Sequence, residues 1–377
     1  LVMNRIIQFF KGFDWILFVS VIFLVIIGIT EIYSVALGQA TPEAIINFKK
    51  QIGFFAIGLI LLFIFAYLIS YEFLKNNAIF IFLGGVILLI LVLLFGSEVR
   101  GTKSWFSIGF FGIQPVEFIK LILLIFVARY LSILEENKID LKSFLITGLG
   151  AALLIGLVLA QPDFGSAVIL LATWALLVMI SGLKKRYIFG LIVILIAVSL
   201  VSWTFYFKPY QKQRVLTFLN ASDNSLSQGY NVSQAIIAIG SGQLYGRGIG
   251  FGSQSQLKFL PESQNDFIFA VMAEELGFIG IMLVLGLFLT FFTRCYINLR
   301  KIDDRFGFFV ILGCAILIFI EMFINIGMNL GIVPVVGISL PFISYGGSGM
   351  IANLVLVGII ESIVIKARRR GSLLSVT

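Results

Sequence analysis

The chain has 377 residues, 60% of them apolar and 12% charged, with a mean hydropathy of +1.08. That composition excludes an ordinary water-soluble domain and points to a polytopic membrane protein, one integral domain over 1–377. The net charge of +8 does not indicate nucleic acid, because Lys and Arg punctuate the ends of apolar runs rather than clustering.

There is no histidine, so imidazole base chemistry and His-ligated zinc are excluded; Cys295 and Cys314 make no disulfide or zinc framework. The apolar runs predict ten spans, at roughly 14–35, 52–70, 78–95, 115–134, 144–160, 166–182, 187–207, 266–293, 306–328 and 347–366. The first run is longer than the apolar stretch of a secretory leader and is expected to be retained. Ahead of it, Arg5–Lys11 reads as an interfacial helix or a plain flank. An even number of spans puts both termini on one side. That side carries sixteen Lys and Arg, including the Lys184–Arg186 and Arg368–Arg370 triplets, against nine in the opposite loops. Both termini are therefore expected in the cytoplasm. The segments 96–113, 161–165, 331–347 and a large loop at 208–265, between spans 7 and 8, then face outward.

Ionisable groups at membrane depth are costly and are functional candidates by default. In chain order the first come before and within span 4: Arg100 and Lys103 beside Trp105, then Gln114, Glu117 and Lys120. Arg100 and Lys103 suit a pyrophosphate or a membrane interface equally. Glu117 and Lys120 are three apart, so a local ion pair is open to them. Asp163, in the turn Gln161–Gly165, is expected to cap the next helix. Residues 240–252 hold six glycines without strand-to-helix context and read as a mobile loop or re-entrant turn, with Arg247 inside. Asp266 sits where a polar loop becomes span 8, which suits a helix cap, a general base or an oxygen ligand for a divalent metal. Glu274 follows eight residues on, and pairing with Lys120 is its expected fate; Glu275 points about 100° away. Glu321, Asn325 and Asn329 form a polar stripe on span 9, suited to interhelical hydrogen bonds. The stretch LPFISYGGSG at 340–349, with Ser344, is too broken to continue that span.

These segments together resemble the SEDS family, the RodA and FtsW proteins. The carriers are GTKSW at 101–105, QPVEFIK at 114–120, QPDFG at 161–165, GYNVSQAIIAIGSGQLYGRG at 229–248, SQSQLKFLPESQNDFIFAVMAEELGFIG at 253–280 and GIVPVVGISLPFISYGGSG at 331–349. The SQSQL and PVVG wording is closer to RodA. Departures are Ser104 in the family's basic pair, Val116 and Gly349 for a common Ser, and Asn265 for a common Thr.

The resemblance implies a peptidoglycan glycosyltransferase of the bacterial cytoplasmic membrane. It would polymerise lipid II into β-1,4 glycan strands, with inversion, for elongation and cell shape. It places the essential acid on Asp266 and a substrate-binding pair on Glu117 and Lys120. Arg100, Lys103, Trp105 and Arg247 are further candidates for substrate contact; Glu274, Glu275, Asp163, Gln114 and Ser344 are expected in support. A divalent metal, Mg or Mn, on Asp266 is compatible with it; no organic cofactor is implied. The implied partners are lipid II, undecaprenyl-linked glycan, a class B penicillin-binding protein (the transpeptidase) and elongation-complex membrane proteins. The competing readings are a precursor flippase, which predicts acids spread toward both faces, a division polymerase, and a noncatalytic scaffold.

Overall fold

A computed structural model describes residues 12–39, 42–99, 102–108, 111–133, 140–182, 187 and 228–374. The proposed span 187–207, the first part of the loop 208–265, the Arg5–Lys11 stretch and Arg100 lie outside these. The helices are α1 (Trp15–Gln39), α2 (Pro42–Tyr67), α3 (Tyr71–Asn76), α4 (Ala78–Phe95), α5 (Val116–Leu131), α6 (Leu141–Ala160) and α7 (Phe164–Ile180). They continue with α8 (Gln228–Ser241), α9 (Ser253–Gln256), α10 (Ile268–Leu299), α11 (Arg305–Asn329) and α12 (Gly347–Leu374). Among the described residues seven of these are long and apolar enough to cross a membrane. The polar-bearing α5, at 16 residues, and α7, at 17, are shorter.

Local chemistry sets many helix starts. Ser70, Asp140, Asp163 and Asp304 each accept a backbone N–H from three residues on, satisfying a donor the helix leaves open. Pro42 opens α2 without losing a needed donor, with Glu43 beside it, so the helix begins ten residues before its most apolar stretch.

Helix α12 is the central post. Its spanning window is 89% buried, against 28% for the windows of α2, α4, α6 and α10, and α2 lies along it. The two backbones meet because glycines leave room: a Cβ on Gly358 would stand 2.5 Å from the Leu62 carbonyl oxygen. Small residues are what allows such approach where lipid supplies no hydrophobic drive. Helix α10 packs on α1 and α8, while α11 packs on α5, α7 and α10.

Two polar layers close the bundle. At the terminus end, Asp14 accepts from Arg294, Asn298 and Arg368, and its own N–H donates to Glu361. Lys75 pairs with Asp304 nearby. At the opposite end, residues 97–113 depart from the all-helical expectation. They form a three-stranded antiparallel sheet in the order β1 (Ser97–Val99), β2 (Thr102–Ile108), β3 (Phe111–Ile113), with Trp105 opposite Ser97 and Phe106 opposite Ile113.

Helix α10 is not one continuous span. Gly277 takes φ 68°, ψ −169° and breaks it. The glycine-rich stretch, read as a mobile loop or re-entrant turn, is pinned against this break. Arg247 and Gly248 donate N–H to the carbonyls of Glu274 and Glu275, and Phe278 and Ile279 donate to those of Gln243 and Leu244. Four backbone groups that a broken helix would strand are thereby satisfied, as a nonaqueous setting requires.

Candidate active site

The sheet, the α6–α7 turn, the start of α5, residue Asp266 and the irregular segment 334–349 surround one cavity of about 490 Å³. It is lined by six of the residues expected at a site: Asp266, Glu117, Lys120, Trp105, Gln114 and Asp163. Residues from five separate stretches of the sequence converge, 50–54 of α2, 102–120, 162–169, 265–266 and 334–349, because all reach the same end of the bundle.

The turn that carries Asp266 comes immediately before α10, whose N-cap is Phe267. Its carbonyl oxygen accepts side-chain N–H groups from Asn325 and Asn329, each at 3.0 Å. The carboxylate faces Gly337, where a Cβ would stand 3.5 Å from Oδ2. Glu117 has the same arrangement against Gly349, whose Cβ would be 3.5 Å from Oε2. Two carboxylates thus face a hollow across positions that lack side chains.

Lys120 donates to Glu117 Oε1 at 2.8 Å and to Glu321 Oε1 at 2.7 Å. The local pair expected from spacing forms. The expected partnership of Lys120 with Glu274 does not, because α11, not the stretch of α10 bearing Glu274, faces α5 here. Glu274 instead accepts from Ser253 and from the backbone N–H groups of Gln254 and Ser255. Glu275 accepts from Ser34, Gly250 and Gln256. Both are loop anchors. Asp163 caps α7 as expected and also accepts from Gln114 at 3.3 Å. Ser344 supports the wall by donating to the Asn265 carbonyl at 2.7 Å.

Two proposed cations do not reach the cavity lining. Lys103 is exposed and donates to the Leu94 carbonyl, and Arg247 is exposed against Ser253 and Ser241. Lys50 of α2 lines the cavity in their place, with no carboxylate partner among the described residues. Its sequence setting, a Lys-Lys pair at a span start, resembles any interfacial anchor. Among the described residues no three Asp, Glu, Cys or His side chains converge as a metal cage. The donor set therefore fits only an ion resting on Asp266, substrate oxygens and water, which is how Mg²⁺ commonly binds.

The model of the FtsW, RodA and SpoVE family of cell cycle proteins matches residues 14–369. The chain belongs to that family. It is 35% identical to the peptidoglycan glycosyltransferase MrdB of Escherichia coli over 344 residues, which cover 90% of this chain and 91% of that one. The rod shape determining protein RodA of Thermus thermophilus superposes with a TM-score of 0.70 at 28% identity, covering 94% of this chain and 97% of its own. A chain of a peptidoglycan synthase complex, solved to show how polymerization and crosslinking are coordinated, superposes with a TM-score of 0.78 at 28% identity; the match covers 95% and 99% of the two chains. This SEDS-family member is therefore a multi-pass membrane protein with the RodA fold.

Proposed function

We propose that this chain is a RodA-like peptidoglycan glycosyltransferase that polymerises lipid II at the outer face of the bacterial cytoplasmic membrane, for elongation and cell shape. The observation that carries the reading is the cavity end of the bundle, where the carboxylates of Asp266 and Glu117 flank a hollow floored by glycines.

Asp266 takes the proton of the acceptor's GlcNAc 4-hydroxyl as that oxygen attacks the anomeric carbon of the lipid-linked MurNAc. The bond to the donor's diphosphate breaks, and undecaprenyl diphosphate leaves with the electron pair. Conversion of an α-linked donor into a β-1,4 product is a single inverting displacement and needs one base, as in inverting glycosidases. Lys50 meets the diphosphate, where a cation stabilises developing charge. Lys120 acts differently: already bonded to two carboxylates, it fixes Glu117. Where Mg²⁺ or Mn²⁺ takes part, Asp266 would hold it and the ion would offset diphosphate charge.

The similarity to a synthase complex supports a class B penicillin-binding protein as partner. The acids lining the cavity, Asp266, Glu117 and Asp163, lie together at one end, whereas at the other Asp14 is tied to Arg294, Arg368 and Glu361; this supports chemistry at the cavity over a transport path. The test is lipid II polymerisation by purified protein across a metal series. Asp266→Ala is expected to abolish it, and Lys50→Ala to raise KM about tenfold or more, the scale of one lost charge-assisted hydrogen bond. Unchanged polymerisation by Asp266→Ala overturns the assignment.

A further inference from the structure

The polar stripe of α11 does more than join helices. Glu321, Asn325 and Asn329 are spaced i, i+4, i+8 on one face and are 4%, 0% and 0% exposed. Glu321 holds Lys120 and, through it, Glu117. One and two turns further on, both asparagine amides converge on a single acceptor, the carbonyl oxygen of Asp266.

That carbonyl is where α10 would make its next backbone bond. In a helix continued back by one turn, the Ala270 N–H would donate to Asp266 O. Instead the Ala270 N–H is shared between the Phe267 carbonyl at 3.1 Å and Asn329 Oδ1 at 3.3 Å, while Asn329 Nδ2 donates to Asp266 O at 3.0 Å and to Asn325 O at 2.8 Å. Asn325 adds a second bond to the same oxygen and donates to the Ile338 carbonyl at 2.7 Å, beside Gly337, which the Asp266 carboxylate overlies. The Phe267 carbonyl and the Asn329 amide together take the donor that would wind Asp266 into α10, both asparagine amides take up the Asp266 carbonyl, and Asn325 ties it to the segment forming the cavity wall.

We infer that Asn325 and Asn329 are positioning residues for the glycosyl transfer: they hold Asp266 outside the helix, with its carboxylate toward the cavity, and α11 sets its distance from the Glu117–Lys120 pair. The inference rests on Asp266 as the base. It implies that this face of one helix registers both carboxylates, so a change in the stripe acts on turnover more than on substrate affinity.

The test uses full-length protein with lipid II as substrate. Asn329→Leu fills the same space and removes the amide's bonds to Asp266 O, Asn325 O and the Ala270 N–H, leaving that N–H only its bond to the Phe267 carbonyl. It is expected to lower kcat about 10- to 100-fold, the penalty of misplacing a reacting group by around 1 Å, with KM within about twofold and the thermal midpoint nearly kept. Asn325→Leu is expected to lower kcat in the same sense, and Asn329→Gln, which keeps an amide, to recover part of the loss. Asp266→Ala is run in parallel. Retained turnover in Asp266→Ala overturns the base assignment, and this inference with it. An inactive Asp266→Ala beside wild-type turnover in Asn329→Leu overturns this inference alone. It falls as well if kcat drops only in proportion to the folded fraction, or if the loss lies in KM.

Discussion

Replacing Lys120 by Met tests the buried triad directly. The ammonium sits between two carboxylates at 2.8 and 2.7 Å, and the side chains of Lys120, Glu117 and Glu321 are 5%, 13% and 5% exposed. At an effective dielectric constant of about 20, each pair attracts by roughly 6 kcal/mol before desolvation is counted. Desolvation offsets much of this, so the triad as a whole adds little over apolar residues of similar size. Removing only the cation is different: two carboxylates remain buried side by side, and breaking a buried pair this way costs about 3–5 kcal/mol. Lys120→Met should therefore lower the unfolding midpoint in detergent strongly. Glu321→Leu added to Lys120→Met removes one stranded carboxylate and should recover a large part of the loss, a coupling of the size seen between contacting residues. The assay is thermal or denaturant unfolding of the four proteins of the cycle, followed by far-UV circular dichroism. If Lys120→Met unfolds like the wild type, or the double variant is no better than the single, the ammonium does not hold the two buried carboxylates together.

Two further outcomes follow from other parts of the molecule. Burial acts to raise the Asp14 carboxyl, but hydrogen bonds from Arg294 and Asn298 and the Arg294 charge outweigh it and hold its pKa below the ordinary value. The folded-state pKa lies below the unfolded one, so its stabilisation is present above roughly pH 4 and is lost as pH falls through the depressed value. The midpoint of Asp14→Asn should accordingly lie below that of the wild type at neutral pH and merge with it in acid; a gap of constant size would refute this. Gly277→Ala should destabilise by at least about 1–3 kcal/mol, because φ 68° with ψ −169° is essentially restricted to glycine and the added Cβ would stand 2.1 Å from Gly246 N. An unchanged midpoint and unchanged protease resistance of the 243–256 loop would count against the pinned break.

Much of this was legible in the residues because the signals were local. Hydropathy located the long spans, a carboxylate before an apolar run marked the cap at Asp163, and spacing of three gave the Glu117–Lys120 pair. Tertiary neighbours were not legible. Lys120 has acids available on several spans, and only the packing of α11 on α5 selects Glu321 over Glu274. The sheet at 97–113 was hidden because its longest strand has seven residues and sits among glycines. Lys50 was hidden for a different reason: an exposed-looking lysine at a span start is ordinary, and its meaning comes from the cavity that α2 borders.

The acids divide by the groups that answer them, not by depth. Glu274 and Glu275 are 0% and 1% exposed, and they accept from N–H and hydroxyl donors of residues 250–256 and from Ser34. Donors of that kind reach a carboxylate only if backbone can come very close, which explains the glycines around them. A Cβ on Gly242 would stand 1.8 Å from the Ala273 carbonyl oxygen, and one on Gly246 would stand 2.1 Å from that of Glu275. These two carboxylates are enclosed by the loop they organise, with little left to offer a substrate. A Cβ on Gly252 would likewise stand 2.8 Å from the Glu274 carboxylate, but there the loop backbone fills the space; at Asp266 and Glu117 the glycines facing the carboxylates, Gly337 and Gly349, line the cavity. Glycine thus serves backbone approach at the first pair of acids and leaves cavity space at the second. This difference in what the missing side chains make room for supports the proposal that chemistry lies at Asp266 and a structural role at Glu274 and Glu275.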